Sequence, residues 1–563
     1  MNQSGKYERA IDALWLLVLI AASSFWCITA AHSLSATFDE PTYLDCGLRH
    51  WHNGSYKPFM RLGTMPLAID LQTLPLYIWE RCHGTQIDIN RDIGWILPWA
   101  RAGNLVFWVI LVIYVFRTAR SLAGSWAGRI ATAFVVCEPG LLGHASLATT
   151  DIAVTALLMV FAYEFHAGRG KSWLRRLLIP SVLYGLAILA KASGLVFAPA
   201  CMVVIEFDRL WRSESFFAIP VPDWRARLVF LRNGLWEFRR DFFKIIGMGL
   251  LVTFIYCGSD WTTEPTFIKW AQGLKPGSLH DNMLWISEHL RIFTNAGEGL
   301  AQQIKHNMRH DSSYILGQAH KRAVWYYFPV AYAIKCSLAF LLLPLAIAVV
   351  RPRALWNWPV QIALLLLAYS VTCRVQLGIR FMFPVMALAA AGFGAAVVAA
   401  LRETGSSVKR IVLGVFVAVG LLYNGVASAR VWPEGICYTN EMWGGTRNGY
   451  LCLSDSNYDW GQGLLELLQW RETHGVDVID VWYFGLDPRA GFLPFRKMST
   501  KKGEFPSIED QVRGKCVAVS TTLLYGTYAS SPTVGEDTMA FFKAQKMMDR
   551  TTTYFIYDFR NMK

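Results

Sequence analysis

Charge is scarce in this chain. Asp, Glu, Lys and Arg make up only 17% of its 563 residues, 54% are apolar, and the mean hydropathy is +0.30. A soluble domain of ordinary composition carries about 25% charged residues, so a water-surrounded globule is excluded. No internal repeat and no low-complexity tract is evident. No Cys or His spacing resembles a zinc site, which leaves structural zinc modules out. The 11 cysteines say little, because several fall in apolar runs where a thiol behaves as a small hydrophobe.

What the chain has instead is long apolar blocks, at Ile11–Ala31, Leu105–Phe116, Ile245–Cys257, Phe328–Val350 and Ile411–Val426. Blocks of about 20 residues match the hydrocarbon thickness of a bilayer, and flanking Trp and Tyr lengthen the shorter ones. The net charge of +13 sits in the short connections between blocks: Arg117, Arg120 and Arg129; Arg169 to Arg176; Arg351 and Arg353; Arg402 to Arg410. The densest group runs from Arg209 to Lys244. Basic residues held between spans are the positive-inside signal. A nucleic-acid site would need a basic face interleaved with exposed aromatics on a folded domain.

Lys6 and Arg9 precede the first block, which places the N-terminus in the cytoplasm, and no small-residue cleavage site follows that block. With every basic cluster inside, spans are predicted near 11–31, 103–117, 123–138, 150–165, 176–190, 192–206, 243–258, 328–350, 357–373, 381–401 and 411–430. Leu177–Phe207 is basic at both flanks, so it reads as a short hairpin turning at Lys191–Gly194. The expected fold is an α-helical polytopic membrane protein of about eleven transmembrane helices over residues 1–430, with a small α/β extracytoplasmic domain at 431–563.

Four stretches then face outward: a first loop at 32–101, a turn from Cys137 to Asp151, a loop at 258–325, and the tail. In the tail the pattern predicts a helix at Leu464–Thr473, strands at Val476–Tyr483 and Lys515–Ser520, a helix at Thr538–Met547 and a strand at Tyr554–Tyr557. Cys46, Cys82, Cys437, Cys452 and Cys516 lie on this oxidising side, which leaves a disulfide open and its pairing unreadable.

The outward face also collects chemistry. Asp39 and Glu40 follow the first span, and Glu138 and Asp151 share an otherwise apolar turn. Lys191, Arg374 and Arg380 are cations on the side where the charge rule makes them rare. Acids and cations gathered at the rim of a bundle suit a substrate with an anionic headgroup and a hydroxyl to be activated. Each has a plainer reading. Lys191 can end a hairpin by snorkelling, Arg380 can anchor a helix end, Glu138 and Asp151 can cap helices, and His144 reads as a packed turn residue.

The motifs around these residues resemble the C-type glycosyltransferases, specifically the bacterial branch of the dolichyl-phosphate-mannose:protein mannosyltransferase family, with the lipid A aminoarabinose transferases more distant. Phe38-Asp39-Glu40-Pro41-Thr42 is similar to the family's first-loop acidic motif, and Glu138-Pro139 through Asp151 to its second outward loop. Gly185 to Lys191, Trp325 to Ala331 followed by Lys335, and Gly378-Ile379-Arg380-Phe381 match further stretches in order. The tail motif from Asp455 to Gln462, after Gly444 to Gly449, is the most specific. Two departures bear on acceptor recognition: Arg61 to Pro66 stands where relatives often carry His-Pro-Pro, and Glu138 where Asp is common.

The resemblance implies an inverting transferase that moves a sugar, a mannose-like hexose or a relative, from a polyprenyl-phosphate donor to a hydroxyl on a protein, a lipid or a cell-surface glycan. It implies Asp39 as general base beside Glu40, with Arg380, Lys191 and Lys335 balancing the departing phosphate and Glu138 and Asp151 at the substrate. No cofactor is indicated, although some relatives use a divalent metal. The expected location is a bacterial inner membrane, and the expected partners are the lipid-linked donor, the acceptor and membrane lipids. A transporter or flippase of lipid-linked sugars shares the spans and charges, but such proteins tend to show repeated halves and a midplane site. A structural assembly subunit would leave Asp39 and Arg380 without a role.

Overall fold

A computed structural model of the chain describes residues 3–289, 291, 295–308, 312–498, 507–527 and 536–562. Every predicted span falls on helical chain, the one at 328–350 on two helices. Among the described residues, five helices are long and apolar enough to cross a membrane: Lys6–Ser33, Ile89–Ala123, Asp151–Gly168, Ile379–Glu403 and Ser407–Val431. The apolar pair Tyr327–Lys335 and Leu338–Val350 passes the same test together but is bent by 101°. Ser125–Val136, Ile179–Ala190, Gly194–Trp211 and Trp358–Ser370 carry the other expected segments as shorter helices. Trp224–Cys257 carries the span expected at 243–258 and extends it toward the chain's beginning, bringing the basic group Arg225 to Arg240 onto one continuous helix.

Burial sorts these helices into a centre and a rim. Phe383–Glu403 is the centre, rich in Ala and Gly and buried almost throughout. Small residues let backbones approach closely where lipid supplies no hydrophobic drive between helices. At Gly394 a Cβ would meet the Ala127 carbonyl and the Ala131 methyl of Ser125–Val136. At the rim, Gln3–Ser33 and Ser407–Val431 expose Leu17 and Leu422 at 65% and 70%. Outward apolar faces of this extent fit acyl chains and not water.

Three local results revise the sequence picture. The segment expected as one span at 328–350 breaks at Cys336, and Ser337 begins a new helix at a corner. Lys335 therefore stands at the break, not inside an apolar span. The first loop is helical, with Glu40–Asn53, Lys57–Leu62 and Leu67–His83 packed over the bundle, and the loop at 258–325 carries helices and a two-stranded hairpin. All 11 cysteines are free. The predicted hairpin at Lys191 is present: Tyr184 donates to the Leu195 carbonyl across it at 3.2 Å.

The tail folds as a five-stranded sheet in the order Phe495–Lys497, Ile479–Trp482, Cys516–Ser520, Tyr554–Asp558, Asp549–Arg550. The first three strands run parallel and the last two pairings are antiparallel. Val481, Val517, Val519 and Ile556 supply its buried apolar pattern. The strands at Phe495–Lys497 and Asp549–Arg550 were not legible, being three and two residues long.

Candidate active site

Asp39 is placed from two directions. Before it, the chain leaves the first span and lies against the tail: Ser35 N donates to the Gln462 carbonyl at 2.9 Å, and Phe38 N to that of Trp460 at 2.8 Å. Phe38 stacks on Phe484 with ring centroids 5.4 Å apart. After it, Glu40 is fully buried and forks onto Arg101 at 2.8 and 2.7 Å, while also accepting from Thr37 N and Ala148 N. Arg101 spends its remaining donors on the carbonyls of Ala31, Leu34 and Ser35. Held at both ends, Asp39 sits at the start of Glu40–Asn53 with its carboxylate free of capping bonds and 24% exposed.

Three more predicted residues meet it. Arg380 Nη1 lies 3.0 Å from Asp39 Oδ2 and 3.8 Å from Asp151 Oδ2. Lys191 donates to Asp151 Oδ1, and its side chain keeps 19% exposure. Asp151 itself is buried at the start of its spanning helix. Two acids and two cations alternate, so no charge in the group is left uncompensated. Aromatic faces add support: the Arg380 guanidinium lies 4.4 Å from the Trp460 ring centroid, and Lys191 Nζ 4.2 Å from that of Phe381.

The geometry gives three other predicted residues different partners. Glu40 does not face the cluster, since its oxygens are consumed by Arg101 and backbone amides one residue after Asp39. Glu138 accepts from Ser337 N and Oγ at 2.9 and 2.7 Å, fixing the corner where the broken helix resumes. Lys335 Nζ donates to the carbonyls of Ile436 and Asn457, both at 2.6 Å, and ties that corner to the tail. Arg374 is exposed and stands outside the cluster. His144 is buried, edge-on to Phe383 at 4.8 Å, as a packed turn residue would be.

Sequence reasoning missed Arg101, read as a loop end, and gave Trp460 no part of its own within the tail motif. It left the tail motif undivided. Asn457 Oδ1 accepts from Ile379 N at 2.8 Å and so holds the short helix that carries Arg380. Gly378 is required beside it, because a Cβ would collide with Ser456 Oγ. Asp459 does not cap the helix at Leu464; it accepts from Ser520, Thr521 and Thr522 N inside the tail. Asp455 adopts φ 58° near Arg380, and burial pushes its carboxyl up to about 7.

Asp39 and Lys191 line a cavity of about 220 Å³ whose opposite wall is Leu62 to Met65, the stretch that departs from the family pattern. At Lys191, Ala192 and Gln303 this cavity adjoins an apolar groove lined by Leu195, Phe197, Ile304 and Phe328. Among the described residues no three His, Cys, Asp or Glu side chains are gathered to hold a metal ion. Asp39 and Asp151 are each already bonded to a cation of the chain, a donor set that does not fit a divalent ion.

Residues 98–257 match the model of the dolichyl-phosphate-mannose-protein mannosyltransferase family. The sequence matches no curated protein. Among solved structures, ArnT from Cupriavidus metallidurans in the apo state is similar at 12% identity over 97% of each chain, with a TM-score of 0.47. The same protein bound to undecaprenyl phosphate aligns at 14% identity over 96% of this chain and 97% of that one, TM-score 0.44. The oligosaccharyltransferase AglB from Archaeoglobus fulgidus, in complex with an inhibitory peptide and a dolichol-phosphate, aligns at 12% identity over 90% and 70%, TM-score 0.41. The second-loop acidic motif and the Gly185 to Lys191 turn both lie inside the stretch matched by the family model, and in these the chain resembles that family.

Proposed function

We propose that the chain is a membrane glycosyltransferase that takes its sugar from a polyprenyl-phosphate donor and passes it to a hydroxyl acceptor on the extracytoplasmic side. The observation that carries this reading is the junction at Lys191, where a polar cavity holding Asp39 adjoins an apolar groove between helices. A lipid-linked sugar needs both environments within one molecule's length. The prenyl chain lies in the groove, the phosphate meets Lys191 and Arg380, and the sugar enters the cavity.

Asp39 takes the proton from the acceptor hydroxyl as its oxygen attacks the anomeric carbon. The bond from that carbon to the phosphate oxygen breaks, and the electron pair leaves with the lipid phosphate. One displacement inverts the anomeric centre. A placed base contributes about 10²–10⁴-fold in rate, and preorganised cations act where the leaving group gains charge. Leu62 to Met65 would shape acceptor entry. The sugar is of the hexose or pentose class, and the residues from 431 onward form the extracytoplasmic domain of a bacterial inner-membrane protein.

Purified protein given a radiolabelled polyprenyl-phosphate sugar and membrane extract is expected to move label into an acceptor fraction with the opposite anomeric configuration. Donor binding without any transfer, together with donor movement across vesicles, would replace this reading with the transporter.

A further inference from the structure

A second cavity lies away from Asp39, where the last spanning helix meets the tail. It measures about 550 Å³, and its walls include Arg430, Glu434, Glu441, Glu466 and Tyr438. It shares no residue with the cavity holding Asp39. Below it, an open apolar groove of about 610 Å³ runs between Leu338–Val350 and Ser407–Val431, lined by Leu338, Leu342, Val415 and Val419. The two meet at Tyr423, which lines both.

The chemistry of the two parts differs in the way a lipid differs along its length. The groove is apolar, and Val415 and Val419 are more than half exposed on a spanning helix. Above it, three carboxylates face one cavity with the Arg430 guanidinium at its edge. Burial, with Glu466 alongside, pushes the Glu434 carboxyl up to about 8, so at neutral pH it is mostly protonated, and a cation brought against it would restore its charge. Tyr438, only 2% exposed, lines the cavity with its hydroxyl beside that of Tyr423.

We propose that groove and cavity together bind phosphatidylethanolamine, its acyl chain along Val415 and Val419, its phosphate at Arg430 and Tyr438, and its ammonium among Glu434, Glu441 and Glu466. An anionic headgroup would bring no cation to Glu434 and would set its charge against Glu441 and Glu466 with one arginine to offset it. The zwitterion satisfies both signs at once.

The test uses the full chain in nanodiscs, with lipid retention read by native mass spectrometry from mixed phosphatidylethanolamine and phosphatidylglycerol. Phosphatidylethanolamine is expected to be retained over phosphatidylglycerol, Glu441→Gln to lower that preference about tenfold, and Arg430→Ala to weaken retention of either lipid. Both residues are exposed, so folding is not at stake. Val419→Trp, at a lipid-facing position, fills the groove and is expected to remove the bound lipid altogether. Equal retention of the two lipids, preference for phosphatidylglycerol, or retention unchanged by Val419→Trp would each overturn the proposal.

Discussion

At the scale of single residues, the proposed mechanism separates groups that would touch substrate from groups that hold them. Arg380 Nη1 lies between two acids while the guanidinium lies against Trp460, a placement that uses the flat face of that group. Arg380→Lys keeps the charge and loses that geometry. It is expected to lower kcat by about tenfold or more with a smaller change in donor binding, read from steady-state kinetics against donor titration. Glu40→Gln should behave differently. Breaking a fully buried pair typically costs about 3–5 kcal/mol, so the expected result is a lower melting midpoint and poor yield, not a stable, inactive protein. A normal melting profile with activity lost would return Glu40 to the catalytic set.

Asp70 gives a pH-dependent prediction at the same scale. It accepts from Tyr256 at 2.7 Å, and burial pushes its carboxyl up to about 7 from an ordinary 3.8. The raised value means that its contribution is fully present below the unfolded pKa and is lost as pH rises through about 7. Melting midpoints in detergent should therefore fall between pH 5 and 8, and Asp70→Asn should flatten that fall. An unchanged slope in the variant would assign the pH dependence elsewhere.

At the scale of elements, the helix from Ile379 to Met382 is where the tail reaches into the bundle. Asn457 holds its first amide and also donates to the Tyr327 hydroxyl at 3.0 Å. Asn457→Ala is expected to lower kcat about tenfold with donor KM little changed, since Arg380 shifts while the groove stays intact. Equal losses in both would point to general disruption. This also marks how far the sequence could be read. Apolar length and basic connections located the helices, because bilayer thickness and charge placement are written in local composition. Lys191, Arg380 and Asp151 stood out because charge at a membrane rim is costly and rare. The break at Cys336 was not legible, since Leu338–Val350 continues the same apolar run and the groups that fix the corner, Glu138 and Asn440, are far off in the chain. Nor was the division of labour between Asp39 and Glu40. Two adjacent acids look alike until Arg101 is seen to claim one of them.

At the scale of the molecule, the tail is part of the site. Trp460 and Gln462 carbonyls anchor the segment leading to Asp39, Asn457 anchors Arg380, and Lys335 bridges Ile436 to Asn457. A chain ending at Val431 is expected to insert in the membrane, to lose transfer, and to be cleaved faster by protease between Ser33 and Asp39. Unchanged protection there would mean that the first loop holds itself in place.

The most direct test of the account compares wild type with Asp39→Asn in one turnover, with labelled polyprenyl-phosphate sugar already bound. Nothing else in the cluster is moved, because the amide keeps the size of the carboxylate and an oxygen that can still accept from Arg380. The account predicts donor binding within a few-fold of wild type and transfer slowed by about 10²-fold or more. Transfer at the wild-type rate would contradict it and remove Asp39 from the chemistry.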